Sequence, residues 1–452
     1  MLSYGNLQKA MKVDIAVSKK MADKILLWNN MYQNKAYWLN GEVKSLELPA
    51  AIAAEIARLV TMERQFGING GKRAEYLSKQ FCLVDTNLPI YVEYGCASGG
   101  LIFKPYMDNG SIAVDFVQAG DFYPVAFNRG KITEAIIPEF KKSGKKLYTR
   151  IEYHALRGTE YTIINRAFCS ENASVNANNI TNLGGEISLK EVPEWAELEA
   201  ESVFHDVKQP LFSYFRIPLA NNIDMYSPLG VSVYSRAGNQ IRDADEQYGA
   251  VMWEYRSKET AIQAGDEFFD RDRYGNIRLP KGMERIYKNL GPGIMDSTGN
   301  PFFNVYSPAI RDESFYNGFN HIMQRVEFNS GLAYGTLSDP QNVDKTAEEI
   351  KNSKQRSYST VKAIQNSLET ALEDLVYAMD TWTSIYGLAP AGKYETSYKW
   401  DDSIVVDAER EIEEYRKDVS MGAMALWEYR MKRYGEDEKT AKENVPEQAE
   451  MI

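Results

Sequence analysis

The sequence predicts an α+β protein with more than one domain, and three observations support this. The chain has 452 residues, of which 44% are hydrophobic, so it can bury a sizeable core. From Ile90 to about residue 162, apolar and polar residues alternate between turn signals, as in an antiparallel sheet. From residue 346 to 386, apolar residues instead recur every three or four positions, as in a helix.

Residues 1–226 are predicted to form an N-terminal segment and the sheet-bearing domain. The first 48 residues look helical and aromatic, and that segment is expected to end at Leu48-Pro49. Residues 50–64 show the stripe of an amphipathic core helix. Its apolar residues are Ile52, Ile56, Leu59 and Val60.

The turns of the predicted sheet are marked by Asn109-Gly110 and by Gly130. The glycine-rich run 95–100 is expected to be a tight turn into a strand. The sheet continues to about Ile217, with an irregular polar insert near 171–186.

A helix is predicted over 227–259, because Ser227 suits an N-cap and Pro228 suits the first helical position. Residues 260–308 contain ten glycines and prolines, so they cannot form one long element and are interpreted as a small inserted module. A second helix is predicted over 309–330, followed by a loop over 331–345.

The clearest predicted element covers 346–404, a long helix with a strand after it. Thr346 and Glu349 have the spacing of a capping box, and the stretch from 346 to 386 would be about 60 Å long as a helix. Such a helix favours a crossing between domains, although a coiled coil has the same spacing. Its apolar residues are Val361, Ile364, Leu368, Leu372, Leu375, Met379, Trp382 and Tyr386.

Residues 405–452 are predicted to form a separate tail domain. The end of the chain carries much of the negative charge. The whole chain has a formal charge of −11, and residues 401–452 hold fifteen acidic and eight basic residues, or −7 of that total. Two short helices are predicted, at 408–418 and 424–434, with Gly435 ending the second. A solvated surface is the usual reason for such charge.

The overall charge disfavours a protein that grips nucleic acid tightly, because such affinity comes from neutralising phosphates with basic residues. The three cysteines, Cys82, Cys96 and Cys169, have no close spacing and are expected to be buried thiols of a reducing compartment. No apolar run is long enough for a membrane span.

Catalytic patterns are weak. The stretch 67–73 lacks the spacing of a phosphate-binding loop and is expected to be an ordinary loop, and the three histidines, His154, His205 and His321, are far apart in sequence. Asp401 and Asp402 could share a metal, but neighbouring residues on a strand point to opposite faces, so solvated carboxylates are favoured. No cofactor or metal is expected, and an enzyme with an unfamiliar site stays open.

Several runs, in their order, resemble the portal proteins of tailed bacteriophages, in particular the portal family of siphophages that infect Gram-positive hosts. They span nearly the whole chain, and their order is more specific than any one of them. Ala425 departs from the pattern, which would have serine there. The runs are YGCASGGLIFKPY at 94–106, DFVQAGDFYP at 115–124, GKITE at 130–134, PLGVS at 228–232, DP at 339–340, KTAEEI at 345–350, WDDSI at 400–404, MGAM at 421–424 and YRMKR at 429–433.

The resemblance implies a non-enzymatic homo-oligomeric ring, usually of twelve subunits, at one capsid vertex, through which double-stranded DNA is packaged and ejected. It implies a wing (1–226), a stem of two helices (227–259 and 309–330), a small α/β clip (260–308), a tunnel loop (331–345), a long crown-ward helix with a return strand to the wing (346–404), and a short helical crown (405–452). The implied partners are the terminase large subunit, head–tail connector or adaptor proteins, and the major capsid and scaffolding proteins. The implied location is the virion, and the host cytoplasm during assembly.

Two sets of site residues follow from the resemblance. Channel DNA is expected to meet the tunnel loop and the helix after it, at Tyr334, Thr336, Ser338, Gln341, Asn342, Lys345 and Lys351. Terminase and connectors are expected to dock on the basic residues of the clip, Arg271, Arg273, Arg278, Lys281, Arg285 and Lys288.

The charges allow other interpretations of both sets. Lys345 and Lys351 could equally be ordinary solvated lysines. The six clip cations lie among five nearby acidic residues, which favours salt bridges with neighbouring subunits or partners over a DNA-binding patch. Net acidity suits a conduit through which DNA slides, because weak attraction to phosphates permits movement. Another capsid or connector component and a metal-dependent nucleic-acid-processing enzyme are the alternatives.

Overall fold

A computed structural model describes residues 4–62, 64–171, 183–258, 261–278, 287–307, 309, 311–339, 347–400 and 408–445, with the backbone alone at 257, 347–353, 408–411 and 414. Helices and sheets are mixed throughout, so the α+β prediction is confirmed. The helices α1 to α10 are Tyr4–Met11, Lys19–Tyr32, Leu48–Thr61, Lys72–Ser98, Gly238–Ser257, Asp312–Ser330, Ala347–Ile385, Ala408–Ser420, Leu426–Tyr434 and Glu438–Glu443. The strands β1 to β16 are Arg64–Gly70, Gly100–Asp108, Ser111–Gln118, Tyr123–Asn128, Lys131–Ser143, Lys146–Arg157, Glu160–Ser170, Gly185–Ile187, Glu201–Phe204, Ser213–Arg216, Ala261–Ala264, Asp270–Arg271, Ile277–Arg278, Tyr287–Asn289, Phe303–Tyr306 and Tyr394–Trp400.

The N-terminal segment is helical, as predicted, but Leu48-Pro49 begins a helix and does not end one. Pro49 occupies the first turn of α3, where its missing N–H costs no hydrogen bond. The predicted stripe of α3 is correct: Ile52, Ile56 and Val60 are fully buried, and Leu59 is partly buried against the same core. The side chain of Ser18 caps α2 by accepting a hydrogen bond from the Met21 N–H at 3.3 Å.

Two predictions near residues 67–98 are wrong. Residues 67–70 belong to β1, and the stretch from Ile90 that was expected to begin the sheet is the end of the long helix α4. The apolar residues that point into the core are spaced by three or four, which is the helical period, whereas the strand-like Ile90 faces solvent. The buried stripe is Phe81, Val84, Leu88, Val92 and Cys96. The predicted turn into a strand is correct, since Gly99 has φ +95° and β2 follows directly.

The antiparallel sheet predicted up to about residue 217 is present as two sheets. Strands β10, β2 and β3 form one, and β4, β5, β6, β7 and β8 lie side by side in the other, with β9 also paired to β7. Asn109-Gly110 and Arg129-Gly130 form the predicted hairpin turns, all four with positive φ. Most of the predicted polar insert, 172–182, lies outside the described residues.

The helix predicted from Pro228 begins ten residues later, at Gly238. Ser227 accepts a hydrogen bond from the Leu229 N–H at 3.3 Å, which makes a local turn. The following segment crosses the protein core, where the Val233 N–H donates to the Cys96 carbonyl and the Tyr234 hydroxyl donates to the Trp28 carbonyl. Residues 227–234 are buried without forming a helix, so the N-cap signal at Ser227 does not start one there.

The small module predicted at 260–308 is built from short strands and one 3₁₀ turn in its described residues. Strand β11 lies between β14, which is parallel to it, and β15, which is antiparallel. Strands β12 and β13 form a separate pair. No α-helix is present in residues 261–278 and 287–307, so the α/β character predicted for the module is not seen there.

The predicted long helix is confirmed as α7, whose 39 residues span about 58 Å. Every apolar residue predicted on its stripe is buried except Tyr386, which lies beyond the helix end. The stripe packs into the largest core cluster, together with α3, α4 and the sheet of β2. Thr346 lies outside the described residues. The strand predicted after the helix is β16, which pairs with β1.

In the tail, α8 and α9 match the two predicted helices, and Gly435 ends α9 in the left-handed conformation. The short helix α10 was not predicted. Of the three cysteines, only Cys96 is fully buried and Cys82 is exposed, so the expectation of three buried thiols is wrong. Among the helices that the structure describes, none is long and apolar enough to cross a membrane.

Candidate functional site

The helices α5 and α6 form an antiparallel pair, and the end of the pair away from the small module packs in the main core cluster. Contacts join them along their length. At one end, the Asn329 side-chain amide donates to the Gln240 side chain at 3.3 Å, and midway the rings of Tyr248 and Phe319 lie 6.5 Å apart. At the other end, next to the small module, Glu254 binds Arg311. The pair is therefore held at both ends.

Arg311 donates two hydrogen bonds to the Glu254 carboxylate, at 3.1 and 3.0 Å. This two-pronged geometry is the strong form of an arginine–carboxylate contact. The hydrogen bond from Arg311 lowers the pKa of Glu254 below its ordinary value. The carboxylate therefore stays ionised at neutral pH and links the two helices where they enter the module.

The loop after α6 folds back along the helix that precedes it. Glu327, a fully buried carboxylate in the last turns of α6, accepts hydrogen bonds from the N–H groups of Leu337 and Ser338 at 2.6 and 2.8 Å. The Ser338 hydroxyl donates to the same carboxylate at 2.8 Å. Two helical turns earlier, the Asn320 side-chain oxygen accepts from the Asp339 N–H at 2.9 Å. We call these contacts the loop strap.

The end of α6 also contacts α7 closely. The guanidinium of Arg356 lies 4.3 Å from the centre of the Phe328 ring and 5.4 Å from that of Tyr334, which are cation–π distances. Gly331 has φ +76°, and a Cβ there would come within 2.7 Å of the Thr360 hydroxyl. Glycine is thus required where α6 ends against α7.

These contacts decide where the residues predicted for the tunnel loop lie. Thr336 is exposed, and its hydroxyl donates to the Ala333 carbonyl at 2.7 Å. Tyr334 is partly covered, beside Arg356. Ser338 is only 5% exposed and bonded to Glu327, so it points into the protein and is not available to DNA. Gln341, Asn342 and Lys345 lie outside the described residues, as does the side chain of Lys351.

The clip residues are exposed where they are described. Arg271 donates to the Asp266 carboxylate at 2.9 Å and to the Gly275 carbonyl at 3.0 Å. Arg278 lies opposite Asp270 in the pair of β12 and β13. Part of the cation set is thus balanced within the same chain. Arg273 and Lys288 are exposed, and Lys281 and Arg285 lie outside the described residues.

An apolar surface on the module was missed by the sequence analysis. All four residues of β15 are exposed, and β15 is the edge of its sheet. Phe303 and Val305 are about half exposed, and Phe268 packs 5.3 Å from Phe303, ring centre to ring centre. The density of aromatic residues in 302–306 was the available signal, but a buried strand would show the same composition.

Nothing in the described residues forms a catalytic constellation. A buried ionic cluster between the two sheets centres on Glu152 of β6, which binds Lys104 of β2 at 2.8 Å, Arg150 at 3.1 Å and His154 at 2.9 Å. Burial alone would raise the pKa of Glu152, but these three neighbours hold it well below its ordinary value. Each charged side chain of this cluster has a partner of opposite charge, which is typical of an ionic network that stabilises a fold.

A metal-dependent site is not supported by the described residues either. They contain no group of three or more metal-ligating side chains, and Asp401 and Asp402 lie outside them.

Comparisons with known proteins do not show a family or a function for this chain. No protein-family model matches the chain, and no curated protein matches it. Among solved structures, the chain is similar to one titled "Neck of native GTA particle computed with C12 symmetry", with 10% identity and a TM-score of 0.41, over 95% of this chain and 98% of that chain. Likeness at this level does not show a shared fold, so neither fold nor function is carried over from that particle.

Proposed function

We propose that the chain is the subunit of a phage portal: a homo-oligomeric ring, with twelve subunits as the family's usual number, that forms the DNA channel at one capsid vertex. One observation carries the proposal. An antiparallel helix pair bears an exposed small-sheet module at one end, and at the other a strapped loop that leads into a helix of 39 residues. This is the portal order of stem, clip, stem, tunnel loop and crown-ward helix, which the sequence resemblance implies.

The surface of the helix pair supports assembly with other subunits. Trp253 on α5 is 69% exposed, and Met252 and Tyr316 are partly exposed nearby in the same pair. Large apolar side chains clustered on the surface mark interfaces. In a ring, each subunit contacts the next head-to-tail, so the two sides of the helix pair would be covered by different neighbours.

The module gives the proposed clip two kinds of surface. Its edge strand β15 is apolar, while Arg273 and Lys288 are exposed cations. In this proposal, neighbouring clips cover the apolar edge, and the terminase and connector proteins bind the charged surface in turn. Capsid and scaffolding proteins would meet the sheet-bearing domain, which would be the wing.

The loop strap reduces the number of residues proposed to contact DNA in the channel. With Ser338 buried and Tyr334 held beside Arg356, the DNA-facing positions retained in the proposal are Thr336, Gln341, Asn342, Lys345 and Lys351. The chain would perform no chemistry, and ATP hydrolysis would belong to the terminase. The acidic tail would form a crown inside the capsid.

Electron microscopy of the purified full-length chain tests the proposal. A ring with a central hole, in one copy per capsid at a unique vertex, is the expected result. A chain that stays monomeric both alone and in capsids would contradict it. Density at many capsid positions would instead indicate another structural component of the shell.

A further inference from the structure

The hairpin that joins β5 and β6 carries a concentration of positive charge that the proposed function does not use. Its tip contains four lysines in six residues, in a chain whose net charge is −11. They are Lys141, Lys142, Lys145 and Lys146.

The tip has a rigid support. Strands β5 and β6 have 13 and 12 residues and pair with each other up to the tip, where β6 is also paired with β7 from Leu147 onwards. Strand β4 pairs only with residues 131–136 of β5, at the other end of the hairpin. A two-residue turn joins them, because Ser143 lies opposite Lys146. Gly144, with φ +60°, takes the first turn position, where a left-handed residue is needed. The lysines are therefore displayed at a fixed place.

Charge partners account for only one of these lysines. Lys141 forms an ion pair with Glu194, and the next carboxylate along β5, Glu139, is already bound to Arg150. Lys142, Lys145 and Lys146 are exposed and have no ion pair in the described part of the chain. By the register, Lys142 and Lys146 lie on opposite faces of the hairpin, and Lys145 lies in the turn between them. The three ammonium groups therefore surround the tip, and none of them has an ion pair in the described residues.

We propose that this tip, defined by residues 141–146, is a surface that binds the phosphate backbone of double-stranded DNA without reading its sequence. Lysine supplies mobile point charges suited to phosphates. The tip contains no Arg, Asn or Gln for two-pronged contacts with base edges. Duplex DNA presents one negative charge per about 1.7 Å of its axis, so several phosphates face a tip of this width.

DNA is favoured over other polyanions because the proposed function brings DNA to this protein. The choice of DNA as the ligand therefore rests on the proposed function. The tip lies in the sheet-bearing domain, far along the chain from the predicted tunnel loop. Weak binding there would leave passage through the channel free. The acidic tail is a less suitable occupant, since several of its carboxylates are used within the tail, as in Glu436 with Arg430 and Glu438 with Lys442.

The test is the salt dependence of binding to a fluorescent 20-base-pair duplex, measured by anisotropy with the full-length protein. The variant K142Q/K145Q/K146Q removes the three unpaired charges. Three phosphate contacts correspond to a slope of about 2.7 in log affinity against log salt, or about 40-fold between 50 and 200 mM. We expect the variant to lose about that much slope.

The matched control is K19Q/K20Q/K24Q, which removes three exposed lysines from α2 and lowers the net charge equally. It should keep the wild-type slope. An unchanged slope in the hairpin variant, or an equal loss in both variants, would overturn the inference. So would polyglutamate that displaces the duplex at lower charge concentration than unlabelled DNA, since the tip would then prefer an acidic protein.

Electron microscopy of the same samples separates this inference from the proposed function. Rings with an unchanged salt slope in the hairpin variant would contradict the inference and leave the ring intact. A lost slope in a protein that forms no ring would support the DNA-binding tip and contradict the portal proposal.

Discussion

The sheet-bearing domain and the small module at 261–307 belong to one chain but are stabilised in different ways. In the domain, α3, α4, α7 and the sheet of β2 share one continuous cluster of buried apolar side chains. In the described residues of the module, Ala264 is the only buried apolar side chain, while several aromatic residues are exposed. The domain can thus be stabilised by its own burial, whereas the module has its apolar surface available for neighbours.

The largest expected effect is in the domain core. Phe103 on β2 is fully buried within the main cluster, so Phe103→Ala should destabilise the chain by about 3–5 kcal/mol through lost burial and a cavity. Urea unfolding followed by circular dichroism measures this. Leu83→Ala, at an exposed site on α4 in the same domain, is the control and should change stability by less than about 0.5 kcal/mol. Equal losses of unfolding free energy in Phe103→Ala and Leu83→Ala would show that the buried cluster does not dominate the stability of the domain.

The next effect concerns the loop strap. Glu327→Gln should cost about 1–3 kcal/mol locally, because an amide replaces a charged acceptor of three hydrogen bonds and brings donors without partners. Hydrogen exchange at the amides of Leu337 and Ser338 should become faster.

Ser338→Ala is the matched control for the strap. It removes the hydroxyl's hydrogen bond to Glu327 and the one that the hydroxyl accepts from the Gly335 N–H, and it leaves both backbone bonds to Glu327. Its exchange rates should lie between those of the wild type and Glu327→Gln. If exchange at Leu337 is the same in all three proteins, the strap does not hold the loop.

A smaller effect is expected at the junction of the helix pair with the module. Because Arg311 lowers the pKa of Glu254, the pair stabilises the protein above the ordinary carboxylate value of 4.5, and this stabilisation is lost as pH falls through the folded-state pKa. The stability difference between wild type and Glu254→Gln should therefore be present at pH 7 and shrink below about pH 4.5. Denaturant midpoints of both proteins across this range measure it. A difference that grows on acidification would contradict the assigned sign.

The smallest effect on the stability of the single chain is expected at Trp253, on the helix pair that carries the module. Because this side chain is largely exposed on α5, Trp253→Ser should change the stability of the isolated subunit by less than about 0.5 kcal/mol. In the proposed ring, the same change should weaken assembly, seen as fewer rings in micrographs and slower sedimentation. Leu83→Ala serves again as the control, with assembly unchanged. A variant that unfolds more readily yet assembles normally would contradict the assignment of Trp253 to a contact between subunits.

The site was predicted less well than the fold. The order of the helix pair, module, loop and long helix was visible in the sequence, because each has its own composition or period. The strap was not, since Glu327 has no local signal that separates a buried acceptor from a surface charge. For the same reason Ser338 was assigned to the channel, although it is covered by the helix that precedes it. The hairpin lysines were readable in the sequence but were not singled out.

The sequence by itself determined the elements whose signals are local. The period of α7, the hairpin turns at Gly110 and Gly130 and the helix end at Gly435 all depend on neighbouring residues, and all are where the sequence predicts them. Tertiary structure decided the conformation of the segments whose sequence is compatible with two kinds of structure. Residues 90–98 could form a strand or a helix, and 228–237 could begin a helix or cross the core. Contacts with residues far along the chain, such as Val233 with Cys96, settled both, because burial of a shared apolar surface outweighs local preference.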